Sequence, residues 1–394
     1  MRLRRSIAIL LVALPLAATL VPLVLPPWRF GLVVLRIATA EVGPLLSLLA
    51  LMLGGVAIAL LRDARHRWLL TVPVLAAAVL GLVPAATAFR AGAAGMAAVD
   101  GLELRRPRPA DGSAVHPVLP PRRLLLGAVR GLPAPTGVTE RVVHYAAVDG
   151  SPLALRLYRA AGGAPRPTVV VLYGGAWRNG DAAQGAPIQR WIAANGYTVV
   201  ALDYRHAPAH PYPAALDDVR RGLALVRDSA AAWGVDTARV ALLGRSSGGH
   251  LATRTAWGPV APPLTIRGTV SFYAPFDLAR GYVDPPSPDP IGVRAVLRDF
   301  LGGAPDAVPD RYRDASPKTW VRAGLPPALL VYAGHDHLVK PAFGRAAAAA
   351  LRRAGVPVVY VEVPWAEHGF DLADGGPEGT AVLGVVLRFL QRVL

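Results

Sequence analysis

Apolar positions along this chain follow two regimes, and the change comes near residue 90. Before it, residues 6–26, 42–61 and 68–89 form almost unbroken apolar runs. Each has about the ~20 residues that a helix needs to cross a bilayer. A soluble helix of that length shows a polar face, and these runs show none. The pattern predicts a three-helix transmembrane anchor over 1–90, with four spans as the alternative count. The first run also resembles a cleaved signal peptide, but it exceeds the usual apolar core of about 7–15 residues, and further spans follow it. Arg36 and Glu41 interrupt the stretch between the first two runs, which reads as a loop or interfacial segment.

Residues 91–137 form a linker, rich in proline and arginine from Gly101 onward. Within it, 122–132 is a short basic, apolar stretch, better suited to packing on the next domain than to lying on a membrane. From 138 to 394 the period shortens. Apolar, β-branched runs at 141–145, 153–158, 168–173, 198–203, 239–243, 268–273, 328–333 and 358–363 alternate with helical stretches. That alternation predicts an α/β domain, a mostly parallel sheet covered by helices on both faces. The first two runs, joined through Asp149-Gly150, read as an antiparallel hairpin. Between the fourth and fifth runs, Leu216, Val219, Leu223 and Val226 recur at helical spacing, with Asp217 and Asp218 in the first turn, where the helix dipole favours anions.

Composition changes this picture little. The net charge is +16, but the arginines are scattered, and Lys318 and Lys340 are the only lysines. A nucleic-acid partner is therefore not expected. There are no cysteines, which excludes disulfides, thiolate metal sites and thiol nucleophiles. Arginine placement does carry information. Arg2, Arg4 and Arg5 precede the first span, and Arg62, Arg65 and Arg67 separate the second from the third. The positive-inside rule puts both segments in the cytoplasm. Three crossings then place the α/β domain outside it, as part of a multi-pass cell-membrane protein.

The candidate chemistry begins at Gly244-Arg245-Ser246-Ser247-Gly248, which follows an apolar run. Gly-x-Ser-x-Gly in that position is the pattern of a nucleophile elbow, a sharp strand-to-helix turn that presents a serine. Serine needs a base, and His368 follows the last apolar run; the base needs an orienting acid, and Asp336 follows the run before it. Tyr173-Gly174-Gly175-Ala176-Trp177 follows the third run, and its small residues leave backbone N–H groups free for an oxyanion. Gly174, Gly175, Ala176 and Ser247 are the expected donors. Trp177 is a candidate substrate contact, with a buried aromatic as the default reading.

These segments resemble the α/β-hydrolase esterases of the hormone-sensitive-lipase-like and feruloyl-esterase-like groups, with kynurenine formamidase nearby. Residues 173–177 are similar to their His-Gly-Gly-Gly/Ala-Trp loop. Residues 203–208, running on to 211–215, are similar to their Asp-Tyr-Arg-Leu-Ala-Pro segment. Residues 244–250 match the elbow, and Ala315-Ser316-Pro317 with 325–330 resemble the approach to the acid strand. The resemblance covers about two thirds of the chain. It implies an α/β-hydrolase with a Ser-His-Asp triad, cleaving a small carboxylic ester through an acyl-enzyme without a cofactor. Two positions depart from the pattern: Tyr173 stands for the leading histidine, and Ala209 for the glutamate after Ala-Pro.

Rival readings attach to several residues. Ser247 is a second serine, but Gly244 and Gly248 flank Ser246 symmetrically. Asp277 is a second acid candidate, better read as a structural loop contact; Asp371 is expected to cap or hydrate its loop, and Asp203 to hold the turn after it. His206 and His210 have metal-ligand spacing, but Pro208 and Pro211 oppose a helix there and no metal site is expected. His250 is expected to pack behind the elbow. Residues 281–314 form a long insertion with one amphipathic helix at 293–301, a candidate partial lid. An amidase of the same fold, a catalytically silent binding module, and an anchor that passes a lipid-derived substrate laterally are the alternative functions.

Overall fold

The computed structural model describes residues 2–61, 64–104, 129–132 and 134–394. Arg62 and most of the expected linker, including 122–128 of its basic stretch, lie outside the described residues.

Eight strands form one sheet: β1 (Val138–Ala146), β2 (Pro152–Ala160), β3 (Arg166–Leu172), β4 (Thr198–Leu202), β5 (Val235–Arg245), β6 (Ile266–Phe272), β7 (Ala328–Ala333) and β8 (Val358–Val363). Their order is β1-β2-β4-β3-β5-β6-β7-β8. β1 and β2 form the expected antiparallel hairpin, β2 meets β4 antiparallel, and all later pairings are parallel. In β3 and β4 every residue from Val169 to Leu172 and from Thr198 to Leu202 is buried, as a strand covered on both faces requires. Parallel register lines up the strand ends, so Leu172 of β3 pairs with Gly244 of β5, and Ala333 of β7 with Val363 of β8. The loops leaving these ends carry the candidate chemistry along one sheet edge.

The N-terminal region contains four helices: α1 (Arg2–Val24), α2 (Phe30–Glu41), α3 (Gly43–Leu60) and α4 (Ala64–Asp100). Three of them, α1, α3 and α4, are long and apolar enough to cross a membrane. They pack through small residues, with Gly43 against the backbone of Gly81 and Gly54 against Val74. Leu10, Leu14, Leu51, Met52, Leu75, Val79 and Leu82 point outward, uncovered by protein.

Two sequence expectations change here. The stretch between the first runs is not a loop: 30–41 is helix α2, with Arg36 and Glu41 on its buried side. The third apolar helix does not end at Phe89 but continues to Asp100, into the expected linker. Its last turns, 91–99, carry five alanines, the strongest helix former, and no proline to stop them. At 37 residues it is roughly 55 Å long, well beyond an apolar bilayer core of ~30 Å. Its final third docks on the α/β domain. Gly92 abuts the backbone of Ala381, and Gly95 faces Val361 and Val385, so glycine is required for the close approach.

Among the described residues, the remaining long helices are α5 (Ala186–Ala194), α6 (Ala214–Asp228), α7 (Ser247–Trp257), α8 (Val293–Leu301), α9 (Pro341–Arg353) and α10 (Pro377–Val393). Leu216, Val219, Leu223 and Val226 form the buried face of α6, as their spacing predicts.

Candidate active site

The turn from β5 into α7 presents Ser246 with φ 51° and ψ −120°, a conformation that non-glycine residues rarely adopt. Glycine on either side makes it sterically feasible. A Cβ on Gly244 would lie 2.2 Å from the carbonyl oxygen of Gly248, and one on Gly248 would lie 2.2 Å from those of Leu172 and Tyr173. The Ser246 N–H donates to Phe272 at 2.9 Å, and its carbonyl accepts from His250 at 2.9 Å, which fixes the turn from both sides.

The loops after β7 and β8 bring Asp336 and His368 to this serine. His368 Nε2 lies 2.9 Å from Ser246 Oγ, and His368 Nδ1 lies 2.8 Å from Asp336 Oδ2. A carboxylate only accepts, so Nδ1 carries the proton and Nε2 is left to accept the serine hydroxyl. Asp336 Oδ1 is held by the N–H groups of Leu338 and Val339 at 2.8 and 2.7 Å. Burial raises the Asp336 carboxyl above its usual range, and the nearby imidazole pulls against that rise. Ser247, the rival nucleophile, is buried, with its hydroxyl 3.4 Å from that of Tyr204.

The loop after β3 carries Gly174, Gly175 and Ala176, the expected oxyanion donors, and one of the three N–H groups is taken by the protein itself. The Gly174 N–H is engaged, donating to Gln184 Oε1 at 2.8 Å, while Gln184 Nε2 donates back to the Gly174 carbonyl at 3.1 Å. Gly175, Ala176 and Trp177 all have positive φ, at 153°, 55° and 57°. This unusual backbone leaves the N–H groups of Gly175 and Ala176 without a protein acceptor among the described residues. Tyr173 stands where the resemblance has a histidine, and it is tied to the turn after β4. Its hydroxyl donates to Asp203 at 2.6 Å, and its ring stacks on Tyr204 at 4.3 Å. Asp203 also accepts from the Tyr204 N–H at 2.9 Å, so it ties this turn to the oxyanion loop.

Other expected roles sort out by contact. Trp177 is buried against His250 and Phe300, stacked on the latter at 4.1 Å, and it also lines the cavity over Ser246. Its indole N–H donates to His250 Nδ1 at 3.2 Å, and His250 Nε2 donates to the Ala315 carbonyl at 2.8 Å. Burial pushes the His250 imidazole down to about 4, consistent with this neutral pairing. Asp277 caps the short helix at 278–283 and pairs with Lys318 at 2.8 Å. Asp371 neither caps nor hydrates its loop, contrary to expectation: it is fully buried, bound to Arg245 of the elbow and to the Tyr273 hydroxyl. His206 contacts the Tyr173 hydroxyl at 2.8 Å, and His210 faces Asp149 at 3.5 Å.

Sequence reasoning missed three contributors. Tyr273 supports one face of the His368 ring, with centroids 4.4 Å apart. Glu367 links the loops. Its Oε1 accepts from the N–H groups of His337 at 2.8 Å and His368 at 3.0 Å, and its Oε2 faces His337 Nδ1 at 2.7 Å. Adjacency to the base was the one available signal. The third is helix α2, whose Phe30, Val34, Ile37 and Ala38 help enclose a cavity of about 810 Å³ over Ser246. Leu297 from α8, within the insertion at 281–314, lines it too.

With this geometry in view, similarity to known proteins is informative. The BD-FAE family profile matches residues 155–351. The probable carboxylic ester hydrolase LipM of Mycobacterium tuberculosis is 31% identical over 238 residues, which cover 58% of this chain and 54% of LipM. The chain thus spans about half the length of that relative. Carboxylesterase NlhH of the same organism is 32% identical over 238 residues, covering 58% of this chain and 74% of NlhH. Among solved structures, an esterase of Pyrobaculum calidifontis superposes with a TM-score of 0.58 at 27% identity, covering 68% of this chain and 88% of that one.

Proposed function

Since the chain belongs to the BD-FAE family of α/β-hydrolases, we propose that it is a membrane-anchored serine hydrolase that cleaves carboxylic esters. The observation that carries this reading is the continuous relay Ser246–His368–Asp336, with contacts of 2.9 and 2.8 Å, under a largely apolar cavity.

Ser246 Oγ attacks the ester carbonyl while His368 Nε2 takes its proton. Asp336 holds the tautomer and stabilises the imidazolium. The N–H groups of Gly175, Ala176 and Ser247 receive the oxyanion, with about 3–4 kcal/mol of barrier lost when one such donor is removed. The imidazolium then protonates the departing alcohol, leaving Ser246 acylated. Water, deprotonated by His368, attacks the acyl-enzyme and releases the acid. Glu367, Tyr273 and the Arg245–Asp371 pair act through position, by holding the loops and ring that these steps require.

Three apolar helices with uncovered outer surfaces support the anchor, and the arginines at 4, 5 and 67 support a cytoplasmic N-terminus with the catalytic domain on the other side. The test is hydrolysis of p-nitrophenyl butyrate by the detergent-purified full chain. Ser246→Ala should reduce turnover by at least a thousandfold, and undiminished turnover would overturn the assignment.

A further inference from the structure

The cavity over Ser246 is walled in part by the anchor region. Phe30, Val34, Ile37 and Ala38 recur at i, i+4, i+7 and i+8, which is one stripe of helix α2, and all four line it. Ile37 reaches the base loop: its Cδ1 lies 4.0 Å from where a Cβ on Gly369 would stand, beside His368. The α/β domain contributes Leu297 and Phe343 to the same cavity. At about 810 Å³ the space is far larger than a short acyl group fills, and falls within the range that holds drug-sized ligands, ~300–1,000 Å³.

The place of α2 in the chain matters as much as its lining. It joins the end of α1 to the start of α3, two helices fit to span a bilayer, so it lies at a membrane boundary. That boundary is also where α4 leaves the membrane to dock on the α/β domain. Around α2 the apolar side chains remain uncovered: Trp28 is 68% exposed, Phe30 53% and Val34 49%. An apolar helix at an interface lies with such residues among acyl chains. Phe30 and Val34 line the cavity close to Trp28, which is exposed and does not line it. A buried bond of Arg36 Nε to Glu367 at 3.1 Å and one of Arg36 Nη1 to the Leu25 carbonyl at 2.6 Å hold α2 in that position.

We propose that the substrate is a membrane-resident ester of a long-chain acid, which enters from the bilayer along α2. Its acyl chain lies in the cavity against Phe30, Val34 and Ile37, and its carbonyl reaches Ser246. This rests on the serine-hydrolase reading above and adds to it the substrate class and the direction of entry. The reaction is unchanged: the acyl C–O bond breaks, the alcohol leaves with the serine proton, and water releases the fatty acid.

The experiment uses the full chain in lipid nanodiscs, with dioleoylglycerol in the disc and p-nitrophenyl palmitate and butyrate added. The wild type should hydrolyse dioleoylglycerol and prefer palmitate over butyrate in kcat/KM by at least tenfold. Ile37→Trp narrows the inner passage and should lower the palmitate-to-butyrate ratio at least tenfold. Val34→Trp, at a half-exposed site that accommodates a larger ring, should lower it in the same direction, and thermal melting establishes that each variant is folded. An unchanged ratio in folded variants would overturn the proposal. So would a wild type that cleaves butyrate but neither palmitate nor dioleoylglycerol, which would leave the hydrolase reading standing. Failure to cleave any of the three would instead overturn the hydrolase reading, and the proposal with it.

Discussion

Arg36 and Glu367 form a buried ion pair at 3.1 Å across 331 positions of sequence, joining the anchor region to the residue beside His368. The same carboxylate accepts from the backbone of both the acid loop and the base loop. One side chain therefore sets the spacing of Asp336 and His368 and the place of α2 over the serine.

Breaking a buried ion pair by removing one partner costs about 3–5 kcal/mol in comparable pairs. Glu367→Gln and Arg36→Met should each lower stability by about that much, and the double variant by clearly less than the sum. Thermal melting of the full chain in detergent measures this. Strict additivity would contradict the coupling.

Glu367 also gives stability a defined acid response, through its contacts to His337 and the backbone. Burial alone would raise the Glu367 carboxyl, but His337 and the N–H groups of His337 and His368 outweigh it and hold the group below its ordinary value. A lowered folded pKa contributes stability that is fully present above the unfolded value, about 4.3. That contribution is lost as pH falls through the lower folded value. Below pH ~4 the wild type should lose stability more steeply than Glu367→Gln. Parallel acid titrations of melting temperature check the difference in slope.

Sidedness is open to direct labelling because the chain has no cysteine of its own. Val148 in the β1–β2 hairpin is 75% exposed and Leu3 is 73% exposed. In intact cells a membrane-impermeant maleimide should label Val148→Cys and spare Leu3→Cys. The reverse pattern would invert the proposed orientation.

Most of the α/β domain was legible in the sequence because strand period and turn chemistry are local. All eight strands lie over their apolar runs, and α8 occupies the expected 293–301. That Ser246, Asp336 and His368 come together was legible because each lies on the loop or turn that leaves one of those runs. What stayed hidden depends on partners remote in sequence. Arg36 and Glu41 looked like breaks in an apolar stretch, since nothing nearby announces that Glu367 and the N–H of Glu378 receive them inside a fold. Gly174 looked as free as its neighbours because its acceptor, Gln184, lies in the following turn. The length of α4 was underread because apolarity fades after Phe89, whereas its alanine-rich end is held by glycine contacts to α10 and β8.

The most direct test of the account is covalent labelling of the full-length protein by a fluorophosphonate, followed by mapping of the modified peptide. Only a serine whose proton is taken by an aligned base reacts quickly. A single adduct is expected on Ser246, absent in Ser246→Ala and slowed at least a hundredfold in His368→Ala. An unlabelled wild-type protein, or an adduct on Ser247, would contradict it.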